Sequence, residues 1–157
     1  MHVGCQTPIM SHNRVPVVWH IDDNQADLEL VALALAESAQ PISLRSFSNA
    51  ALALDDLAVV GTDALPDLLL LDVNMPGMGG VEFLRMVQNE PRLHQLRIAI
   101  LTGAIIPPGH DFLKILGASC VLKKPALVQE FPALRAAVLA ALAGAIQPAS
   151  VAMHQQG

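Results

Sequence analysis

The stretch LLLLDVNMPGMGG, residues 68–80, decides the architecture. Four consecutive leucines leave no polar face for water, so they read as a strand covered on both sides, the pattern of a parallel sheet between helix layers. Asp72 stands at the end of that run, and Pro76, Gly77, Gly79 and Gly80 crowd the loop after it. Glycines there let backbone N–H and carbonyl groups come close to a small ligand. The same grammar recurs outward from this point. VVWHI at 17–21 runs into Asp22 and Asp23, IAIL at 98–101 into Thr102, and CVL at 120–122 into Lys123, Lys124 and Pro125. Ile42–Phe47, after Pro41, alternates like a further strand.

Helical spacing fills the intervals. Asn24 suits the cap of a helix from about Gln25 to Ser38, with Asp27 three residues on in capping-box style and Leu28, Val31, Ala32 and Leu35 as its core stripe. Asn49–Val60 reads as a second helix ended by Gly61. Gly79 and Gly80 open a third, to about Asn89, with Val81, Leu84 and Val87 in register. Asp111–Leu116 is a short fourth, closed by Gly117. Pro132 fits the first turn of a fifth, which offers Leu134, Val138, Ala141 and Leu142 to the sheet and stops at Pro148. Strands alternating with helices imply parallel pairing and right-handed crossovers. The expected fold is α/β, a flavodoxin-like, doubly wound sheet of five strands in the order 2-1-3-4-5 with five helices. It occupies residues 16–146, between polar tails at 1–15 and 147–157.

Composition agrees with one such domain. Of 157 residues, 53% are hydrophobic and only 15% charged, which suits buried central strands. A net charge of −5 without a basic stripe argues against nucleic acid as a partner. Cys5 and Cys120 are the only cysteines, one in a tail and one in an apolar run, so no disulfide is expected. The N-terminus has no signal-peptide pattern, and the longest apolar stretch, Ala136–Ile146, is too short to span a bilayer. A cytoplasmic protein without membrane contact is the expectation.

Residues at the carboxyl ends of parallel strands converge on one crevice. Asp22, Asp23 and Asp72 would meet there. Two like charges about 4 Å apart repel by about 4 kcal/mol at an effective dielectric of about 20, so three carboxylates call for a cation. Oxygen ligands of this kind suit Mg²⁺, with the backbone carbonyl of Asn74 as a candidate fourth ligand. A carboxylate beside that cation, Asp72, can act as a nucleophile toward phosphorus. The Thr102 hydroxyl can donate to a phosphoryl oxygen, and Lys124 can reach one as a flexible point charge. Lys123 competes for that role, but strand alternation sends one lysine to solvent, and the Lys-Pro pair favours Lys124.

The ordered set IDDN at 21–24, LLLDVNMPGMGG at 69–80, ILTG at 100–103 and LGASCVLKKP at 116–125 resembles the receiver domain of two-component response regulators, over about residues 16–145. The resemblance implies a phosphoacceptor signalling module rather than an enzyme. It implies that Asp22 and Asp23 hold Mg²⁺, that Asp72 accepts phosphoryl from a kinase histidine, and that Thr102 and Lys124 contact the phosphoryl oxygens. The partners it implies are a sensor histidine kinase, of which phytochrome-like kinases are one kind, or a phosphotransfer protein. With no output domain expected after residue 146, the signal would pass by partner binding, by dimerisation through the last helix and fifth strand, or by a phosphate-sink role. One position departs from the family pattern: Val121 stands where an aromatic ring is common, three residues before the lysine, and valine has a single stiff torsion. Switching is therefore expected in the 103–111 loop, with its Pro107, Pro108 and Gly109.

The remaining candidates are weaker. His2, His12, His20, His94, His110 and His154 lack metal-ligand spacing and read as structural or solvated. Trp19, Phe83, Phe112 and Phe131 read as packing. Leu30 and Leu33 fall off the core stripe of the first helix, the side on which partners of this family approach, and form a candidate kinase-docking surface. Two rivals use related chemistry. An aspartyl-phosphate hydrolase would carry Asp-x-Asp after the first strand, not its nucleophile after the third. A flavin domain of the same fold would need a Ser/Thr-Gly-rich phosphate loop where IDDNQ stands.

Overall fold

A computed structural model describes residues 14–103 and 111–144. Five strands, β1 (Val17–Ile21), β2 (Ser43–Phe47), β3 (Leu68–Leu71), β4 (Ile98–Thr102) and β5 (Cys120–Lys123), form one all-parallel sheet in the order β2-β1-β3-β4-β5. Five helices alternate with them: α1 (Gln25–Ala36), α2 (Ala50–Val59), α3 (Gly80–Gln88), α4 (Asp111–Ile115) and α5 (Phe131–Leu142). This is the doubly wound, flavodoxin-like arrangement expected from the strand grammar. Short 3₁₀ turns lie at Thr62–Ala64, Pro91–Leu93 and Val128–Glu130. Among the described residues no helix is long and apolar enough to cross a membrane.

Alternation along each strand divides the interior in two. Trp19, Ile21, Leu69, Leu71, Ile98 and Ile100 face a core completed by Ala53 and Leu57 of α2 and Phe83, Leu84 and Val87 of α3. Val18, Leu68, Leu70, Ala99, Leu101 and Leu122 face a second core, with Val31 and Leu35 of α1 and Leu134 and Val138 of α5. The leucines of β3 feed both cores and are fully buried, which is why that strand has no polar position.

Register carries the chain ends of these strands to one place. Val18 to Ile21 pair with Leu68 to Leu71. The ladder continues with the Asp72 N–H donating to the Ile21 carbonyl at 3.0 Å, so Asp22 and Asp72 emerge side by side. Thr102 pairs with Lys123, and the Lys124 N–H donates to the Thr102 carbonyl at 2.8 Å. The tight turn after Asp72 depends on two glycines. Gly77 has φ +73°, and a Cβ on Gly80 would lie 2.7 Å from the Asp72 carbonyl oxygen.

Several local expectations need correction. The α1 stripe is Leu28, Val31, Ala34 and Leu35, not Ala32, and the helix stops at Ala36. Leu30 is half-buried against the α1/α5 core, leaving Leu33 as the exposed leucine. Asn24 does cap α1, accepting from the N–H groups of Ala26 and Asp27, but the Asp27 carboxylate leaves the helix start for a different partner. Gly61 does not close α2 in a left-handed turn; its φ is −66°, and the Val60 N–H bonds back to Asp56. Arg92 supplies the missing closure, donating to the carbonyls of Leu57 and Val60 at the open end of α2. Phe112 is not packing: with Ile115 it is exposed on α4, whereas Trp19, Phe83 and Phe131 are buried. Leu142 is only partly buried. The expected stop at Pro148, most of both tails, Cys5 and most of the 103–111 loop lie outside the described residues.

At the sheet edge, β2 is largely exposed. Arg45 lies over the rings of Trp19 and Phe47, at 5.3 and 4.8 Å from their centroids, and pairs with Asp56 on α2.

Candidate functional site

The two buried aspartates are held alike. Asp22 Oδ1 accepts the Asn24 N–H at 2.9 Å, and Asp72 Oδ1 accepts the Asn74 N–H at 3.1 Å. Each strand thus ends in a turn that fixes its own carboxylate, an Asx-type bond to the backbone two residues on. The second oxygen of each is left to face the crevice. Asp23 lies exposed at the rim. Ligand atoms from Asp22, Asp23 and Asp72 all lie within 4.8 Å of one another.

Lys124 enters from the end of β5. Its Nζ donates to Asp72 Oδ2 at 3.2 Å and to Asp27 Oδ2 at 2.8 Å. It also stands 2.6 Å from Asp22 Oδ2. That last contact is a close ion pair on an oxygen that is itself buried. Lys123 points away and pairs with Glu130 at 2.8 Å. Thr102 ends β4, buried, one residue before the loop. Asn74 is exposed in the loop after Asp72.

The electrostatics follow from burial and these contacts. Burial pushes the Asp22 carboxyl above its usual pKa, against the pull of Lys124. Burial works against the Lys124 charge too, but Asp22 and Asp27 prevail and hold the ammonium above its ordinary value. Two buried carboxylates crowd a single lysine, and with the exposed one at the open side they make an oxygen-only donor set of the kind hard divalent cations take. The residues present fit such an ion.

Two neighbours were not recognised from the sequence as parts of this site. Asp27 fits a capping pattern in the sequence, yet α1 starts at the crevice and its first turn brings Asp27 to Lys124. His20, two residues before Asp22, is fully buried, with Nε2 3.7 Å from Asp22 Oδ2 and no hydrogen-bond partner on either ring nitrogen. Burial and the Lys124 charge lower its pKa to about 4, so the ring is neutral at neutral pH. Val121 packs, partly buried, against the α2/α3 core.

Comparison with known proteins gives one consistent result. The family model of the response regulator receiver domain matches residues 18–137. The phosphorylated cyanobacterial phytochrome response regulator RcpA is similar in structure, with 28% identity and a TM-score of 0.72 over 86% of this chain and 99% of that one. The Mn²⁺-bound response regulator Rcp1 is 25% identical with a TM-score of 0.66, over 77% of this chain and 90% of the other. The histidine-protein kinase BarA of Escherichia coli K12 is 26% identical over 120 residues, 75% of this chain but only 12% of that kinase.

Proposed function

The chain belongs to the response regulator receiver family, and from that premise we propose that it takes a phosphoryl group on Asp72 from a histidine kinase or phosphotransfer protein. Asp22, Asp23 and Asp72, with the Asn74 carbonyl, are the residues to hold Mg²⁺. When bound, that cation neutralises the phosphoryl oxygens and the crowded carboxylates. Oδ2 of Asp72, the oxygen not tied to the Asn74 N–H, attacks phosphorus, the P–N bond to the donor histidine breaks, and the imidazole leaves with that electron pair and takes up a proton. Lys124 and the Thr102 hydroxyl then face the new oxygens. The added charge is about −1.5 to −2, by analogy with other phosphorylated side chains. Such a change is large enough to rearrange the loops around the crevice and alter what the surface binds.

The observation that carries this reading is the meeting of Lys124 with Asp22 and Asp72, residues far apart in the chain, at the carboxyl ends of three strands. The phytochrome-associated neighbour RcpA makes a phytochrome-like kinase the first donor to try. Residues 16–146 are taken as the receiver, with partner binding or dimerisation as the means of transmission. The test is exposure to acetyl phosphate and Mg²⁺ followed by intact mass. One phosphoryl adduct is expected, not formed when EDTA is present from the start and absent in Asp72→Ala. An adduct that survives Asp72→Ala, or none in the wild type, ends the proposal.

A further inference from the structure

We propose that Asp27 is a positioning residue for Lys124, holding its ammonium over Asp72 while Asp22 and Asp72 are engaged by cation and phosphoryl. The inference rests on the reading of Asp72 as phosphoacceptor.

Among the described residues Lys124 Nζ meets three carboxylates: Asp22 at 2.6 Å, Asp27 at 2.8 Å and Asp72 at 3.2 Å. Two of the three have other work in the reaction. Asp22 belongs to the cation cluster, and Asp72 becomes an acyl phosphate. Asp27 is not in that cluster. Its bond to Lys124 is therefore the one that neither the cation nor the phosphoryl group needs to break.

The need for such a bond follows from the side chain. Lysine is a point charge on a flexible stem, and an entering dication repels it. Displaced from Asp22, the ammonium has no fixed place unless something outside the cluster holds it. Its backbone is fixed by the Lys124 N–H on the Thr102 carbonyl at 2.8 Å. Asp27 fixes the other end. That carboxylate rides on the first turn of α1, where the helix dipole favours a negative group, and its own N–H is tied to the Asn24 side chain at 3.4 Å. The contact is partly sheltered, with Lys124 only 12% exposed and Asp27 26%. Charge-assisted hydrogen bonds in such places fix geometry better than open surface pairs do.

The experiment follows adduct formation by the full chain with acetyl phosphate and Mg²⁺. The Asp72 oxygen bonds to phosphorus while the P–O bond to the acetyl group breaks and acetate leaves. Wild type is compared with Asp27→Asn, Asp27→Glu, Lys124→Ala and the Lys124→Ala/Asp27→Asn double variant, with urea midpoints to confirm folding. Asp27→Asn should slow uptake about tenfold, since a reacting group displaced by about 1 Å costs up to about a hundredfold. Asp27→Glu should recover most of the rate. With Lys124 already alanine, Asp27→Asn should change nothing further. Wild-type rates in Asp27→Asn overturn the inference, as does equal slowing with and without Lys124, which marks a general field effect on the cation. If Lys124→Ala takes up too little phosphoryl to measure, the wild-type Mg²⁺–beryllofluoride complex decides. Lys124 Nζ within about 3.2 Å of Asp27 supports the inference, and separation of the two groups overturns it. A wild-type chain that takes no phosphoryl at all fails earlier, on the assignment of Asp72, and is thereby distinguished.

Discussion

His20 shows how a single side chain couples folding to pH at this site. Its pKa in the folded chain is about 4, against an ordinary value of 6.5. The unfolded chain therefore binds a proton over a range where the folded one does not. That contribution to stability is complete above about pH 6.5 and is lost as pH falls toward 4, by up to about 3 kcal/mol. Asp22, whose pKa is raised, acts in the opposite direction. A comparison of variants isolates the histidine term: urea midpoints measured in EDTA should fall less steeply between pH 7 and 5 in His20→Gln than in the wild type. Parallel slopes would show that the ring takes up its proton without unfolding. Asp22 and Asp72 are legible in the sequence because a carboxylate directly after a run buried on both sides emerges at the crevice, and Lys124, the second lysine after its run, is legible because strand alternation sends Lys123 to solvent. Asp27 is not, because a carboxylate in a first helical turn satisfies a capping rule and a site contact equally well. The burial of His20 depends on the helices laid over β1, which its own neighbours in sequence do not report.

Strands were easier to read than helix faces for a physical reason. A run buried on both sides, such as Leu68–Leu71, carries its answer in composition, whereas α1 is so apolar that several stripes fit the same spacing. The choice between Ala32 and Ala34, and between Leu30 and Leu33, was made by α5 packing against it. The five-residue α4 is too short for any stripe, and so the exposure of Phe112 could not be read. Gly61 misled because an arginine from another segment closes α2. The correction at α1 changes what a docking experiment should use. Leu30→Glu places a charge against the core and should lower stability by about 1–3 kcal/mol, a measurable drop in urea midpoint. Leu33, 59% exposed, should tolerate glutamate within about 0.5 kcal/mol. If α1 receives the kinase, Leu33→Glu slows transfer from the kinase while leaving labelling by acetyl phosphate intact. Equal kinase rates in Leu33→Glu and wild type would place docking elsewhere.

The molecule as a whole is two cores sharing one sheet; β–α alternation made its parallel pairing readable, and the order is the flavodoxin-like one of the doubly wound forms. The crevice inherits its geometry from that order, since β1 and β3 are neighbours only when the winding reverses between them. Among the described residues the winding also leaves β2 at the border with one side of its backbone unpaired. A bare border of this kind recruits strands from other molecules unless something blunts it. Arg45, spread across Trp19 and Phe47 and tethered to Asp56, puts a bulky cation there. Arg45→Val should leave the crevice intact but scatter more light than the wild type on concentration or mild warming. A solution as clear as the wild type's would mean that the exposed serines beside it suffice. The guard on this border thus sits on the flank opposite β5, well away from the chemistry.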